Sequence, residues 1–300
     1  MNTQFRRAAA AALVMTLTGG CGEGSGGPTQ GAAVSSGQTG GSGTTSNAPS
    51  NTYPPAPANA NGPVSYDAVG WSKDHKAGTI SEIAPADFTF AWDGQSYYNV
   101  AIARVGAGRL RYFFGRNGNA SVFSLEQADG TVIPVAVSWV ATEPLLARAE
   151  SVFYHYPASG TSTPAREFSG ALILGRLTGA AAMPTAGTRT YRFQSQGTGT
   201  AEFTADFASG TLAGNLAISY QDAWGPYPPT PATLSNLVWS PDRTSFSATY
   251  TLAGTPGEGT LKGWFFGPGA ETLGLAWKGP VGDPYDSTTT YEVFGAWRLD

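Results

Sequence analysis

Gly263-Trp264-Phe265-Phe266-Gly267-Pro268-Gly269-Ala270-Glu271-Thr272-Leu273-Gly274 is the stretch on which the reading of this chain turns. It holds two apolar runs on either side of a Gly-Pro-Gly turn signal, with glycines where a Cβ would crowd a bulge or bend. The runs extend into predicted strands at 258–266 and 271–277, the second with Leu273, Leu275 and Trp277 on one face. Working outward, 244–252 alternates Phe246, Ala248, Tyr250 and Leu252 with Ser245, Ser247, Thr249 and Thr251. In 200–207, Ala201, Phe203, Ala205 and Phe207 oppose Thr200, Glu202, Thr204 and Asp206, and in 290–298 Tyr291, Val293, Gly295 and Trp297 share a face. With 188–194, 210–219 and 233–239 these make eight predicted strands, each with one apolar and one polar face. An antiparallel meander of this kind hides its apolar faces and its edges by closing into a small barrel. At eight strands the interior is filled by side chains or holds one small ligand.

Period-2 patterning continues upstream, at 88–92, 97–103, 109–114, 121–126, 131–139, 149–156 and 168–175. Hairpin signals stand between these segments at Asp93-Gly94, Gly106 to Gly108, Asn117-Gly118 and Asp129-Gly130. Pro134 makes its strand an edge or a bulge. No apolar pattern holds helical spacing for three turns; 145–151 has room for one short helical turn. The predicted fold class is therefore all-β.

Composition narrows the function. Charged residues are 13% of the 300, with 40 glycines and 21 prolines, which excludes a coiled coil and, lacking a Gly repeat of three, a collagen. Seventeen basic against 21 acidic residues give a net charge of −4, and lysines occur only at 73, 76, 262 and 278, so no nucleic-acid surface is expected. Cys21 is the only cysteine, which excludes an internal disulfide or a multi-cysteine metal site.

Residues 1–21 have the form of a signal peptide: Arg6 and Arg7, then an apolar run from Ala8 to Leu17 too short to span a bilayer. The run ends in Leu17-Thr18-Gly19-Gly20-Cys21, which resembles a bacterial lipoprotein lipobox with Cys21 as the lipidated residue. Several acyl chains on one cysteine give stable anchoring where a single chain does not. Gly22, with no Asp in that place, implies by the same resemblance the outer membrane over the inner one. Residues 22–63 are Gly, Ser, Thr, Asn, Pro, Ala and Gln, with Glu23 the only charge and Val34 and Tyr53 the only sizeable apolar or aromatic groups, a composition expected to remain a disordered tether with a typical reach of about 35 Å.

Four motifs carry a more specific resemblance. The opening stretch is similar to the G-x-F-[FY]-G-P-x-A-x-E-x-G hallmark of the transferrin-binding protein B-like barrel family. Phe203 to Gly214 resembles that family's D-F-x-x-G-x-[LV]-x-G strand pair. Met183-Pro184-Thr185-Ala186-Gly187-Thr188 with Tyr191 resembles its M-P-x-x-G-x-x-x-Y approach to the barrel, and Val293-Phe294-Gly295-Ala296 its closing strand. The resemblance implies a surface lipoprotein lobe, with a β-rich handle at 64–183 followed by an eight-stranded barrel at 184–300. Some members bind transferrin, some heme and some host complement regulators, many have no known ligand, and the resemblance implies an outer-membrane transporter or translocator as partner. No motif specific to transferrin capture stands in this chain.

Catalysis has little support, because neither G-x-S-x-G nor H-E-x-x-H occurs and both histidines lack a paired nucleophile or acid motif. The expectation is a non-enzymatic binding protein that captures a solute or partner protein, in iron or heme acquisition. The alternative is a structural envelope protein or adhesin without a small ligand. No metal or resident cofactor is expected. His155, between Tyr154 and Tyr156, reads either as a strand histidine among aromatics or as an axial ligand to heme. His75 reads as a solvated turn residue. Arg109 and Arg111, on one strand face near Arg104 and Arg116, are either the wet side of a strand or a clasp for an anion. The loop from Tyr220 to Pro231 carries Trp224 and Tyr227 among prolines, and is either a partner-binding loop or a cap on the barrel mouth. Glu271 and Asp206 read as structural residues of their turns.

Overall fold

Alternation of apolar and polar side chains is realised as two large antiparallel sheets in a computed structural model. It describes residues 62–84, 86–95, 98–113, 121–139, 150–157, 166–195, 199–219, 221–222, 225–226, 229–283 and 286–300. Cys21, the signal segment and nearly all of 22–63 lie outside the described residues, as do Arg116, Asn117-Gly118 and 140–149. The first sheet contains β1 (Val64–Asp74), β2 (Thr79–Glu82), β3 (Phe88–Trp92), β4 (Tyr98–Ile102), β5 (Gly106–Phe113), β6 (Ser121–Glu126), β7 (Val132–Trp139), β8 (Glu150–Pro157) and β9 (Arg166–Gly175). It meanders from β3 to β9 and returns on itself, because β1 pairs with β3 and β2 on one edge and with β9 on the other. The second contains β10 (Thr188–Ser195), β11 (Gly199–Asp206), β12 (Thr211–Ile218), β15 (Thr230–Trp239), β16 (Ser245–Leu252), β17 (Gly259–Phe266), β18 (Thr272–Asp283) and β19 (Asp286–Leu299). Between β12 and β15 stands a two-stranded ladder of β13 (Gln221–Asp222) and β14 (Gly225–Pro226). The barrel closes where Arg192 and Asp300 exchange backbone hydrogen bonds, at 2.9 and 3.2 Å. A 3-10 turn, Ala180–Ala182, lies between the sheets in the chain.

The barrel interior is packed with aromatic rings, and each ring needs room on the neighbouring strand. Phe203 stands directly opposite Gly214, Phe246 opposite Gly263, Tyr250 opposite Gly259 and Trp277 opposite Gly295. Tyr154 and Gly170 repeat the pair in the first sheet. In every case a Cβ on the glycine would overlap the ring across from it. The ring covers backbone that the missing side chain leaves bare, so one residue pair fills the wall and pins the register. The other glycines of the motifs act differently: Gly210 (φ 69°) and Gly267 (φ 85°) take left-handed backbone at turns.

The opening stretch also binds the two sheets together. Thr178 N donates to Phe265 O at 2.8 Å, Gly267 N to Arg176 O at 2.9 Å, and Thr178 Oγ1 to Gly267 O at 2.6 Å. Beside this link, Trp71, Ala171 and Ile173 of the first sheet pack against Phe266, Ala276, Phe294 and Ala296 of the second. Lys278 lies 4.6 Å and Lys262 5.9 Å from the Trp71 ring, and Lys262 pairs with Glu82 at 2.5 Å.

This junction explains where strand patterning misleads. β18 and β19 were expected to be polar outside, yet Ala276, Phe294 and Ala296 are apolar there and buried by the first sheet. β1 and β2 have no counterpart among the predicted strands. β1 turns Tyr66 and Ala68 into its own sheet and Trp71 into the junction, so its apolar residues change face midway. The expected turn at Gly106 to Gly108 lies earlier, because Arg104 takes left-handed backbone (φ 64°) and the strand starts at Gly106. Gly279-Pro280-Val281-Gly282, which has the composition of a turn, is ladder, with Gly279 opposite Val293 and Gly282 opposite Thr290. Pro134 falls at a register shift between β6 and β7, in a strand paired on both sides, so it marks a bulge and not an edge.

Two stability outcomes follow from this packing. Gly263→Ala forces a methyl into Phe246 and should cost about 1–3 kcal/mol in urea unfolding. Gly179→Ala, where nothing lies within 4 Å and φ is −67°, should be close to neutral. Equal effects of the two would contradict the ring-on-glycine account. Trp71→Ala should uncouple the sheets, splitting one calorimetric transition into two; a single transition at an unchanged midpoint would contradict the junction's role.

Candidate functional site

The turn at the heart of the opening stretch is built for structure. Glu271 accepts a hydrogen bond from Gly269 N at 3.0 Å. Ala270, fully buried with φ 58°, offers its carbonyl to Tyr191 Oη and to Arg189 Nη1, both at 2.6 Å. Asp206 accepts from Ala208 N and Ser209 N at 2.9 and 3.1 Å, and these N–H groups, Ser209 first, hold its carboxyl below the usual range. Both acids cap turns of the barrel end.

The sequence-predicted site residues are scattered. Trp224 and Tyr227 lie outside the described residues, although the β13–β14 ladder on their loop is described, with Asp222 opposite Gly225. His155 sits in β8 opposite Ser169 of β9 and Ala136 of β7, and the side chains of His155, Tyr156 and Arg111 lie outside the description. Tyr154 is 4% exposed, with its ring 5.6 Å from Phe88. It belongs to the core of the first sheet, where burial pushes its phenol up to about 12. Arg109 is half-buried and stands opposite Glu126 of β6 and Asn99 of β4, an acid facing the base. Arg104 pairs with Asp74 at 3.2 Å. His75 is exposed but not simply solvated: its Nε2 lies 2.8 Å from Oγ of the buried Ser169. Among the described residues no three His, Cys, Asp or Glu stand close enough to share a metal ion.

Sequence reasoning missed two features on the barrel wall. One is a groove of about 410 Å³ across β10, β11, β12 and β15, lined by Arg192, Thr200, Glu202, Asn215, Ala217 and Pro231. The Arg192–Glu202 pair, at 2.7 Å, crosses it. The other is a gap in the ladder. β12 and β15 pair only over Leu216–Ala232, Ala217–Pro231 and Ile218–Thr230, and beyond this they part. β15 also bulges between Ser235 and Val238, with Asn236 in left-handed backbone (φ 51°). Strand alternation alone carries no signal for either, since both strands read as ordinary half-buried segments.

No protein-family profile matches the chain, and no curated protein does. Among solved structures it is similar to a double mutant of transferrin binding protein B from Haemophilus parasuis Hp5, at 16% identity and TM-score 0.43, over 79% of this chain and 45% of that one. It is also similar to intact Ap-TbpB with its N and C lobes, at 16% identity and TM-score 0.40, over 79% of this chain and 46% of that one. A third, isotype 1 TbpB from serogroup B Neisseria meningitidis, gives 12% identity and TM-score 0.33, over 75% of this chain and 61% of that one. The chain spans about half the length of the first two.

The buried phenols make a pH outcome. Burial is the main cause that raises Tyr66, Tyr154 and Tyr191 to about 12. A raised phenol favours the neutral form in the folded state. The associated stability is therefore complete below the unfolded value near 10 and is lost as pH rises from there towards 12. In an alkaline titration these tyrosines should ionise only as the protein unfolds; all 13 tyrosines ionising together near pH 10 in the folded protein would contradict their placement.

Proposed function

We infer that this chain is a non-enzymatic, lipid-anchored binding protein of the bacterial outer membrane that captures a solute or a partner protein at the cell surface. The observation that carries the reading is the order of its parts: a lipobox-like stretch ending at Cys21, a polar tether with a single charge, and the four barrel motifs in family order leading into and along one eight-stranded sheet. The tether holds the folded part off the membrane, and diacyl or triacyl modification of Cys21 keeps it there. Iron or heme acquisition, with an outer-membrane transporter or translocator receiving the cargo, is the family role this reading favours. The candidate contact residues are Trp224 and Tyr227 on the Pro-rich loop, with His155 and the Arg109–Arg111 strand as the handle-side candidates.

A second reading, an envelope protein or adhesin without a small ligand, is favoured by one observation. The barrel interior is occupied by its own side chains, with Tyr191, Phe203, Tyr250 and Phe265 all at most 1% exposed.

Metabolic labelling with an alkyne fatty acid tests the anchor: the wild type should carry label and sediment with outer membrane, and Cys21→Ser should lose both. Unlabelled wild-type protein in the soluble fraction would refute the lipoprotein reading. Protease shaving of intact cells should remove the folded part. Purified protein titrated with heme, and used to capture partners from envelope extract, separates the two readings: a Soret shift or a retained solute favours acquisition, and a retained surface protein alone favours adhesion.

A further inference from the structure

The chain has two histidines, and the first sheet brings both beside one serine. Ser169 of β9 is buried, and stands opposite His155 of β8 on one side and Lys73 of β1 on the other. His75 follows β1 in the chain. Its N–H donates to Glu167 O at 2.9 Å, and its Nε2 lies 2.8 Å from Ser169 Oγ. Directly opposite residues of an antiparallel pair share a sheet face with Cβ atoms about 4.5–5.5 Å apart, and alternate residues of one strand share it too. Glu167, Ser169 and Ala171 therefore occupy one face of β9, and His155 falls on that face by its register. It is the face turned away from the sheet's own core, to which Tyr154 and Leu172 belong. Ala171 carries it into the junction with the barrel.

Three adjacent strands thus group two imidazoles, a carboxylate and a hydroxyl at the rim of the junction. Imidazole with carboxylate is a donor set for first-row transition ions, and thiolate is not required. The 2.8 Å from Nε2 to Oγ suits a hydrogen bond. It is also about the edge between two ligands at right angles on one ion, with bonds of about 2.0–2.1 Å. The two histidines flank one residue on one face, which suits a bare ion. A porphyrin held by two histidines needs them on opposite sides of its plane. Lys73 opposes a cation here, but its stem is long enough to carry the ammonium into solvent, and the half-buried Glu167 offsets its charge.

We propose that His75, His155 and Glu167 form a binding site for a divalent first-row transition ion beside Ser169, at the rim of the junction between the two sheets. His75 and Glu167 enter with their described surroundings, and His155 by its strand position alone. The Ser169 hydroxyl holds the His75 ring over the strand and so sets the ligand in place. The site goes beyond the reading of the chain as an anchored binding protein and stands without it.

The test is titration of the full-length Cys21→Ser chain, made without a histidine tag, with Cu²⁺ and with Zn²⁺; the substitution removes the only thiol. Expected is one ion per chain, with imidazole nitrogen couplings in the electron paramagnetic resonance spectrum of the Cu²⁺ form. His75→Gln and His155→Gln should each weaken binding by more than the roughly tenfold cost of losing an outer-shell partner, and Glu167→Gln by less than either. Lys73→Gln should strengthen it. Zn²⁺ should also shield both histidines of the unsubstituted site from diethyl pyrocarbonate, read by mass spectrometry, which needs no variant at the site to fold. Absence of binding overturns the proposal, as does binding that survives His75→Gln together with His155→Gln, or shielding of one histidine alone. A six-coordinate heme spectrum lost in both single variants overturns it too, and assigns the pair to a porphyrin. Fatty-acid labelling of Cys21 and capture from envelope extract do not read these residues, so their failure and this one are separable.

Discussion

An aromatic ring laid over a cross-strand glycine is the contact on which this structure depends. Eight strands enclose little space, and filling it with Phe, Tyr and Trp is possible only if the wall opposite each ring is bare. Gly214, Gly263, Gly259 and Gly295 supply that bare wall, each in register with its ring. A slip of one residue in any of these ladders would put a side chain under the ring and turn the apolar set outward at once. Ring and glycine thus set register and core volume together. That is why a chain so rich in glycine can hold long, well-paired strands despite the entropy glycine adds to the unfolded state.

The second constraint is the junction. The barrel strands nearest the first sheet have no solvent side: Phe266, Ala276, Phe294 and Ala296 are covered by Trp71, Ala171 and Ile173. Gly274 lets Ile173 approach, since a Cβ there would lie 3.0 Å from its side chain. The two lysines over Trp71 cover the rim of this apolar contact with their stems, Lys262 paired with Glu82 and Lys278 donating to Ile80 O at 3.5 Å. The fold therefore divides its surface, with one flank of the barrel against the first sheet, the other towards solvent with the groove and the parted strands.

Legibility in the sequence followed the faces. The all-β class and all eight barrel strands could be read wherever one face is apolar and the other polar, as in Phe246-Ser247-Ala248-Thr249-Tyr250. β1 could not be read, because its apolar residues serve two different cores, and the far halves of β18 and β19 could not, because Gly279-Pro280-Val281-Gly282 has the composition of a turn. The candidate site was less legible than the fold. Tyr154 looks like a ligand beside a histidine, yet Gly170 opposite it shows a core ring, a pairing that only register reveals. Trp224 and Tyr227 rest on sequence alone. The gap between β12 and β15 depends on where two strands cease to pair, and no residue type encodes that.

Closure has a consequence for how the chain reaches this state. In the first sheet, Asp67 must meet Gly175; in the second, Arg192 must meet Asp300. Hairpins along each meander can form early from neighbouring residues, but each stays an open sheet until its most distant segments join, so the closing contacts carry the greatest loop entropy and come late. Folding of each sheet is therefore slow relative to local hairpin formation. Through that interval the chain presents long, apolar, incomplete sheets whose edges are open to pairing with other chains.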